Sequence, residues 1–244
     1  MNNKDNNNRK YFLIPTFLAE ENDETILAPI IKEALTELNY FLVEEVRTAR
    51  RFISKMRTGR VIEELIFFEV NKKTSIAEVE KIIAKIPKDE SIGIMSEAGC
   101  PGIADPGAAV AMVAHRRGGH IVPLPGPSSI FMSLMASGFS GQKFCFSGYL
   151  PIARAERVKA ILALEREAEK GVTQLFMETP YRNNPLLEDL LKTLKGATNL
   201  CIAAEVTGSN EFIKTKSVKE WRGNEIPNLH KRPTIFLIEA VKTK

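Results

Sequence analysis

Residues that build metal centres and disulfide frameworks are scarce in this sequence. Three cysteines and three histidines occur among its 244 residues. The cysteines, Cys100, Cys145 and Cys201, lie far apart and form no C-x-x-C pair, and the histidines have no ligand spacing. We therefore expect reduced thiols, no disulfide framework and no bound metal.

Long apolar runs are also missing. No stretch approaches the roughly 20 consecutive apolar residues that a membrane-spanning helix needs. The asparagine-rich start, MNNKDNNNRK, lacks the apolar core of a signal peptide, and its polarity predicts a disordered tail over residues 1–10. These absences predict a soluble cytoplasmic protein with no membrane partner.

The apolar residues that are present suffice for a large core, since 44% of the chain is hydrophobic and 26% is charged. From Tyr11 to Leu124, strand-like and helix-like segments alternate, which predicts a parallel sheet covered on both faces. In the second half, the last three strand-like runs follow one another with little helix between them, which predicts a mixed sheet. The sequence thus predicts two α/β domains, residues 11–124 and 125–244.

The fourth predicted strand ends in a loop rich in glycine and proline, IMSEAGCPGIADPG at residues 94–107. Glycine lets the backbone approach a ligand closely, and proline fixes the segments between the glycines. Asp105 stands at the predicted N-cap of the next helix and Pro106 at its first position, so free N–H groups point back at the loop. This combination favours a small-molecule site, although each glycine or proline alone also fits an ordinary tight turn.

The densest basic stretch lies on the second predicted helix. At helical spacing, one face of that helix carries these basic side chains: Arg47, Arg50 or Arg51, and Lys55. Such a face can follow the phosphates of a nucleic acid, and the net charge of +4 permits that partner. An ordinary solvated helix face fits the same residues equally well.

A second segment rich in glycine and proline, VPLPGPSS at residues 122–129, follows the fifth predicted strand. Together the two loops resemble the tetrapyrrole methylase superfamily of S-adenosylmethionine-dependent methyltransferases. The closest pattern is that of the branch that methylates a cytidine ribose 2′-hydroxyl in small-subunit ribosomal RNA, S-D-A-G-T-P-G-I-S-D-P-G followed by P-G-P-S. Glu97, Cys100 and Ala104 replace the Asp, Thr and Ser of that pattern. A match of this length and order is far more specific than a lone G-x-G-x-x-G.

The resemblance extends over most of the chain. FCFSGYLP at residues 144–151 is similar to F-L-F-E-G-F-L-P, and LFMETPYR at 175–182 is similar to L-V-F-Y-E-S-P-H-R. AAEVT at 203–207 falls where the branch has A-R-E-L-T, and VEEVR at 43–47 resembles A-E-D-T-R.

Three segments depart from the pattern. The T-P-I-G-N-L loop after the first strand keeps only Pro15, within IPTFLAEEN. The H-E-H-N-E segment keeps Glu69 and Asn71, and the basic run after F-L-P is reduced to IARAERVK. The cofactor loops are therefore well kept, whereas the segments that would face the methyl acceptor are altered.

The resemblance implies that S-adenosylmethionine binds in a cleft between the two domains and leaves as S-adenosylhomocysteine. It also implies a homodimer, with ribosomal RNA or the small ribosomal subunit as partner. The positions to which it assigns cofactor contacts are Pro15, Ser96, Glu97, Ala98, Gly99, Gly102, Ile103, Asp105, Ser128, Met177, Ala204 and Thr234.

Methyl transfer to a ribose hydroxyl needs the acceptor oxygen, the methyl group and the sulfur in line, and it needs a group that assists loss of the hydroxyl proton. We predict Glu44 and Glu69 as catalytic carboxylates, with Glu97 as a further candidate for the proton. Arg47 is predicted to bind a phosphate or to polarise the acceptor. Alternatively, Glu44 and Arg47 form an ordinary ion pair at the end of a strand.

Two other functions stay open at this point. The reduced basic run after Pro151 also suits a methyltransferase that acts on a small molecule such as a tetrapyrrole. The loss of both histidines around Glu69 also suits a protein that binds S-adenosylmethionine without catalysis.

Overall fold

The computed structural model describes residues 9–240, and the chain divides between Ser128 and Ser129 into two compact units. The sequence places a boundary slightly earlier, after Leu124. Of the tail predicted over residues 1–10, residues 1–8 lie outside the described residues. The prediction is wrong for its last two residues, because Lys10 begins the first strand and Arg9 is buried. The Arg9 guanidinium donates hydrogen bonds to the carbonyl groups of Ile83, in the last turn of a helix, and of Ile86, just beyond that helix.

The first unit contains a five-stranded sheet in which all neighbouring strands are parallel. Its strands are β1 (Lys10–Ile14), β2 (Tyr40–Val43), β3 (Ile66–Glu69), β4 (Ile92–Met95) and β5 (His120–Pro123), in the spatial order β3-β2-β4-β1-β5. The helices are α1 (Pro29–Glu37), α2 (Val46–Lys55), α3 (Ile76–Ala84) and α4 (Gly107–Arg116). Parallel neighbours need crossover connections, which explains the alternation of strand and helix along the sequence.

The helices bury two apolar clusters against this sheet. Leu35 of α1 and Ile53 of α2 pack with Phe41 of β2 in one cluster. Ile83 of α3 and Val113 of α4 belong to the other, with residues of β2 and β4. The sheet is thereby buried on both faces, as its apolar strands require, and the carboxyl ends of its strands lie along one edge.

The second unit contains a mixed five-stranded sheet, in which β6 pairs with β7 in parallel and the other neighbours are antiparallel. Its strands are β6 (Phe144–Tyr149), β7 (Thr173–Met177), β8 (Asn199–Ala204), β9 (Phe212–Ser217) and β10 (Thr234–Glu239), in the order β6-β7-β10-β8-β9. The helices are α5 (Ser129–Ser137), α6 (Arg154–Glu169), α7 (Asn183–Thr193) and α8 (Val218–Arg222). The prediction of two α/β units, one with a parallel and one with a mixed sheet, is confirmed.

Local signals account for several boundaries. Ser75 and Glu78 form a capping box at the start of α3, and a second box at Ser217 and Glu220 begins the short helix α8. Between residues 9 and 240, no helix has both the length and the apolar character needed to cross a membrane.

Candidate functional site

The loop that follows β4 is fixed to the end of β1, its neighbour in the sheet. The backbone N–H of Thr16 donates to the carbonyl of Gly99 at 3.0 Å, and the Thr16 hydroxyl donates to the carbonyl of Ser96 at 3.4 Å. The buried Ser96 hydroxyl donates to the carbonyl of Gly99 at 3.2 Å. Ser96 therefore shapes the loop from within, and Glu97 and Ala98 lie on its exposed side.

The shape of this loop depends on its glycines. Gly99 and Gly102 have φ angles of +73° and +88°, in the left-handed region that disfavours other residues. A Cβ atom on Gly99 would lie 3.1 Å from Cδ2 of Leu18, so the loop after β1 packs directly on this backbone. Ala104 also has a positive φ of 63°, a strained conformation of the kind that occurs at functional sites.

Asp105 closes the loop from a position different from the one predicted. The N-cap of α4 is Pro106, because the helix begins at Gly107, one residue later than the sequence suggests. Asp105 Oδ1 still accepts hydrogen bonds from the backbone N–H groups of Gly102 at 3.0 Å and Gly107 at 2.6 Å. Its Oδ2 is buried and has no hydrogen-bond partner among the described residues, and burial raises the pKa of Asp105 although these hydrogen bonds lower it.

Glu44 lies directly after β2 and contacts the same loop. Its Oε2 accepts a hydrogen bond from the backbone N–H of Glu97 at 3.3 Å. Burial raises the pKa of Glu44, and the negative charges of Glu97 and Asp105 raise it further, while the hydrogen bond from Glu97 opposes them. The structure thus brings Glu44, Glu97 and Asp105 together at the carboxyl ends of β2 and β4.

The neighbouring Glu45 has a structural role. Its carboxylate accepts hydrogen bonds from the backbone N–H groups of Arg47 at 2.9 Å and Thr48 at 2.6 Å, so it caps α2. Arg47 is exposed on the first turn of that helix. Among residues 9–240, Glu44 and Arg47 form no ion pair, so the alternative interpretation of these two residues does not hold.

Glu69 lies one strand further out than Glu44. It ends the edge strand β3, where it pairs in register with Val43 of β2. Its side chain is exposed, and Oε1 accepts a hydrogen bond from the Asn71 amide at 3.0 Å. Glu69 therefore shares the sheet edge with Glu44, but its hydrogen bond is made to its own turn and not to the glycine loop.

A cavity of about 670 Å³ separates α2 from the loop after β1, and we call it the α2 cavity. Its lining consists of Thr16, Phe17, Leu18, Ala19, Glu20, Thr48, Arg51, Phe52, Ser54, Lys55, Glu97 and Ala98. Arg51 lines this cavity, whereas the Arg50 guanidinium lies 5.5 Å from the ring centre of Phe67. Arg50 and Arg51 are equivalent candidates in the sequence pattern, and the structure places Arg51 at the cavity and Arg50 beside Phe67.

A second cavity, of about 750 Å³, lies on the other side of the glycine loop, and we call it the α4 cavity. Its walls are mainly apolar and come from Leu13, Pro15, Cys100, Pro101, Gly102, Ile103, Ala108, Ala111, Met112, His115, Arg116, Pro123 and Leu124. Ile103 and Met112 keep 43% and 39% of their surface exposed there. An apolar cavity that adjoins a fixed glycine backbone suits a small organic ligand.

The second Gly/Pro loop, which belongs to the first unit as far as Ser128, packs against Pro15 of the same unit. A Cβ atom on Gly126 would lie only 2.2 Å from Cβ of Pro15, so the buried proline requires glycine at this point. The Cys100 thiol donates to the carbonyl of Pro127 at 3.3 Å, and burial raises the pKa of that thiol. The two loops are thus fixed to each other, and Ser128 ends the second one, half-buried.

Three predicted cofactor positions lie together at one end of the second unit's sheet. Ile235 pairs with Met177, and the preceding Thr234 pairs with Ala204. Ala204 is fully buried, and the Thr234 hydroxyl donates to the carbonyl of Arg232 at 2.9 Å. Met177 is half-buried and is the member of this group with an accessible side chain.

Within the part of the chain that the structure describes, no group of three histidine, cysteine, aspartate or glutamate residues could hold a metal ion. Phe17 and Leu18 are among the residues lining the α2 cavity that the sequence pattern does not single out. The sequence does contain one indication of them. They lie in the loop after β1, where the chain keeps only Pro15 of the family pattern T-P-I-G-N-L.

Comparison with known proteins finds relatives with one shared name, although no family model matches the chain. Ribosomal RNA small subunit methyltransferase I of Escherichia coli O157:H7 is 27% identical over 246 residues, covering 98% of this chain and 81% of the relative. The protein of that name from Thermotoga maritima is 31% identical over 208 residues, covering 85% of this chain and 88% of the relative. The one from Bacillus subtilis is 30% identical over 206 residues, with coverages of 83% and 66%.

Proposed function

The chain belongs to the ribosomal RNA small subunit methyltransferase I family, and we propose that it uses S-adenosylmethionine to methylate small-subunit ribosomal RNA at a ribose 2′-hydroxyl. One observation carries the chemical part of this proposal. Glu44, a carboxylate with a raised pKa, is hydrogen-bonded to the backbone of the glycine loop at Glu97. A proton acceptor is thereby attached to the loop that the resemblance assigns to the cofactor.

The glycine loop and the α4 cavity fit the cofactor. The cavity offers apolar walls for an adenosine group, and Gly102 and Ile103 present loop backbone along it. Asp105 is proposed to support this backbone from inside, because its Oδ1 accepts hydrogen bonds from the backbone N–H groups of Gly102 and Gly107. When bound, S-adenosylmethionine supplies an electrophilic methyl group with a built-in leaving group.

The remaining predicted cofactor positions have different roles in this proposal. We assign Pro15, Ser96 and Gly99 to the support of the loop, because each packs or bonds within it. Glu97 and Ala98 are exposed and can touch the ligand, and Ser128 ends the adjacent loop. Further cofactor contacts are proposed in the second unit at Met177, Ala204 and Thr234.

Glu44 is our proposed acceptor of the ribose hydroxyl proton. A base is most effective when its pKa lies near the working pH, and the raised pKa of Glu44 moves it in that direction. Glu69 is the second candidate, since it ends the neighbouring strand. Arg47, exposed on the first turn of α2, is proposed to hold a phosphate of the RNA.

A homodimer and a cytoplasmic location are proposed on the resemblance alone. Sedimentation equilibrium of the purified protein would measure the first, and a monomer at micromolar concentration would contradict it. Fractionation of cells that express a tagged chain would measure the second.

The activity is tested with methyl-labelled S-adenosylmethionine and small ribosomal subunits that lack the modification. We expect label in the RNA, and nuclease digestion should yield a 2′-O-methylated nucleoside. Absence of label from the RNA would refute the proposal. Label in a small molecule would favour tetrapyrrole-like substrates, and cofactor binding without transfer to any cell extract would favour a binding protein.

A further inference from the structure

The α2 cavity adjoins the proposed cofactor site, since Glu97 and Ala98 line it, but no ligand has so far been assigned to its interior. Glu97 lines it, and the backbone N–H of the same residue holds Glu44. Its volume of about 670 Å³ falls within the usual range for small-molecule sites. A group bound in this cavity would therefore lie next to the proposed proton acceptor.

Of the two cations that line the cavity, one has no partner among residues 9–240. Arg51 makes no hydrogen bond or ion pair with any of residues 9–240, although its side chain lines the cavity. Lys55, the other cation, donates to the carbonyl of Glu20 and lies 5.8 Å from the ring centre of Phe17. The Arg51 guanidinium is thus available for a phosphate, whose oxygens it can bind in a bidentate manner.

The opposite wall is apolar. Phe17 packs on Phe52 with ring centres 4.8 Å apart, and Leu18 and Ala98 continue this wall towards the glycine loop. The lining also carries two carboxylates, Glu20 and Glu97, so its formal net charge is zero. The cavity as a whole therefore attracts a free anion only weakly. A ligand that places one phosphate on Arg51 and an apolar or flat group on the wall matches the lining better.

We propose that the α2 cavity binds one unstacked nucleotide of the RNA, with its phosphate on Arg51 and its base against the wall formed by Phe17 and Leu18. This inference rests on the proposed function, because it takes RNA as the acceptor. Proteins recognise single-stranded RNA by splaying out bases that apolar or aromatic side chains then cover. Phe17 and Leu18 belong to the loop that departs from the family pattern, so the site is a feature of this chain.

The test measures binding of a fluorescein-labelled single-stranded RNA of about 12 nucleotides by anisotropy over a range of KCl concentrations. R51Q should weaken binding about tenfold and reduce the salt slope by about 0.7, the value for one phosphate contact on single-stranded nucleic acid. S54W fills the cavity without changing charge and should weaken binding by a similar factor with little change of slope. R166Q, an exposed arginine of α6, is the matched control and should change affinity less than about twofold.

Several results would overturn the inference. R50Q, on the same helix, provides a direct comparison. An equal loss of RNA affinity in R50Q and R51Q would place the phosphate contact on the outer face of α2. Unchanged binding in both R51Q and S54W would also exclude the cavity. Inorganic phosphate can also be tested as a competitor, with KCl of equal ionic strength as the reference. If phosphate displaces more RNA than KCl does from wild-type protein but not from R51Q, the cavity is an anion site only.

The same samples separate this inference from the proposed function. If wild-type protein labels ribosomal RNA and both R51Q and S54W bind RNA as tightly as wild type, the proposed nucleotide site in the α2 cavity is refuted and the proposed function is not. Wild-type protein that binds S-adenosylmethionine but transfers no label to RNA refutes the proposed function. Thermal unfolding of each variant, followed by circular dichroism, shows that a loss of binding is not a loss of fold.

Discussion

Replacing Glu44 by glutamine tests the proposed proton acceptor with little structural change. Glutamine keeps the length of the side chain and an oxygen that can accept the Glu97 amide hydrogen, which Glu44 Oε2 accepts at 3.3 Å. It cannot take up the proton, and a positioned general base contributes about 10²–10⁴-fold to the rate. We expect E44Q to lower kcat at least about 100-fold in the label-transfer assay, with cofactor affinity by calorimetry changed less than about threefold.

The pH dependence of the reaction reports on the same carboxylate. Burial raises the pKa of Glu44, and repulsion by Glu97 and Asp105 raises it further. A base must be ionised to act, so kcat/KM should fall as the pH drops through this raised pKa and level off above it. E97Q removes one repelling charge, which should lower the pKa of Glu44 and move this acid limb to lower pH.

Two results would refute this assignment. One is an E44Q enzyme with near-wild-type kcat, and the other is an acid limb that persists unchanged in E44Q. If E69Q instead loses both the rate and the acid limb, the exposed carboxylate of β3 is the proton acceptor. E33Q, which alters an exposed carboxylate on α1, serves as the control for charge removal.

Three further substitutions test the packing that supports the site and the fold. G126A forces a Cβ atom to within 2.2 Å of Pro15 and should destabilise the protein by about 1–3 kcal/mol, with weaker cofactor binding by calorimetry. D189N leaves the buried Arg157 guanidinium, 2.6 Å from Asp189, without its counter-charge and should cost about 3 kcal/mol in urea unfolding. Burial raises the pKa of Asp189, but hydrogen bonds from arginine side chains outweigh it, so the pKa is lowered overall. The wild-type protein should therefore lose stability as the pH falls through the range below about 4. D189N should lack that loss. R9M removes the donors to the end of α3 and should lower the free energy of unfolding by about 2 kcal/mol, and an unchanged urea midpoint would contradict this.

Much of the fold follows from local signals in the sequence. The S-x-x-E sequence at residues 75–78 forms a capping box that fixes the start of α3, and the apolar run at residues 40–43 forms β2. The box at Ser217 carries the same signal, but α8 has only five residues and no apolar period that could reveal it. Asp105 shows a related limit, because a carboxylate can accept a hydrogen bond from the first N–H group of a helix without standing at the N-cap position.

The site depends on orientations that the sequence cannot supply. Glu44 and Glu45 are adjacent and chemically alike, yet one contacts the glycine loop and the other caps α2. Arg50 and Arg51 differ by one helical step of about 100°, which sends one side chain to Phe67 and the other to the α2 cavity. Sequence patterns identify the residue types and their order, whereas the packing of α2 on its sheet decides which member of each pair faces the site.

Substitutions have different consequences on the two sides of the glycine loop, and this explains why one side keeps the family pattern and the other departs from it. The loop backbone beside the α4 cavity depends on the positive φ of Gly102 and on Asp105, which accepts hydrogen bonds from the N–H groups of Gly102 and Gly107, so few substitutions are compatible with its shape. The α2 cavity is lined mainly by side chains of α2 and of the loop after β1, where Phe17 replaces a residue of the pattern without strain on the backbone. A change of acceptor contacts therefore costs little stability here, while a change on the cofactor side would distort the loop itself.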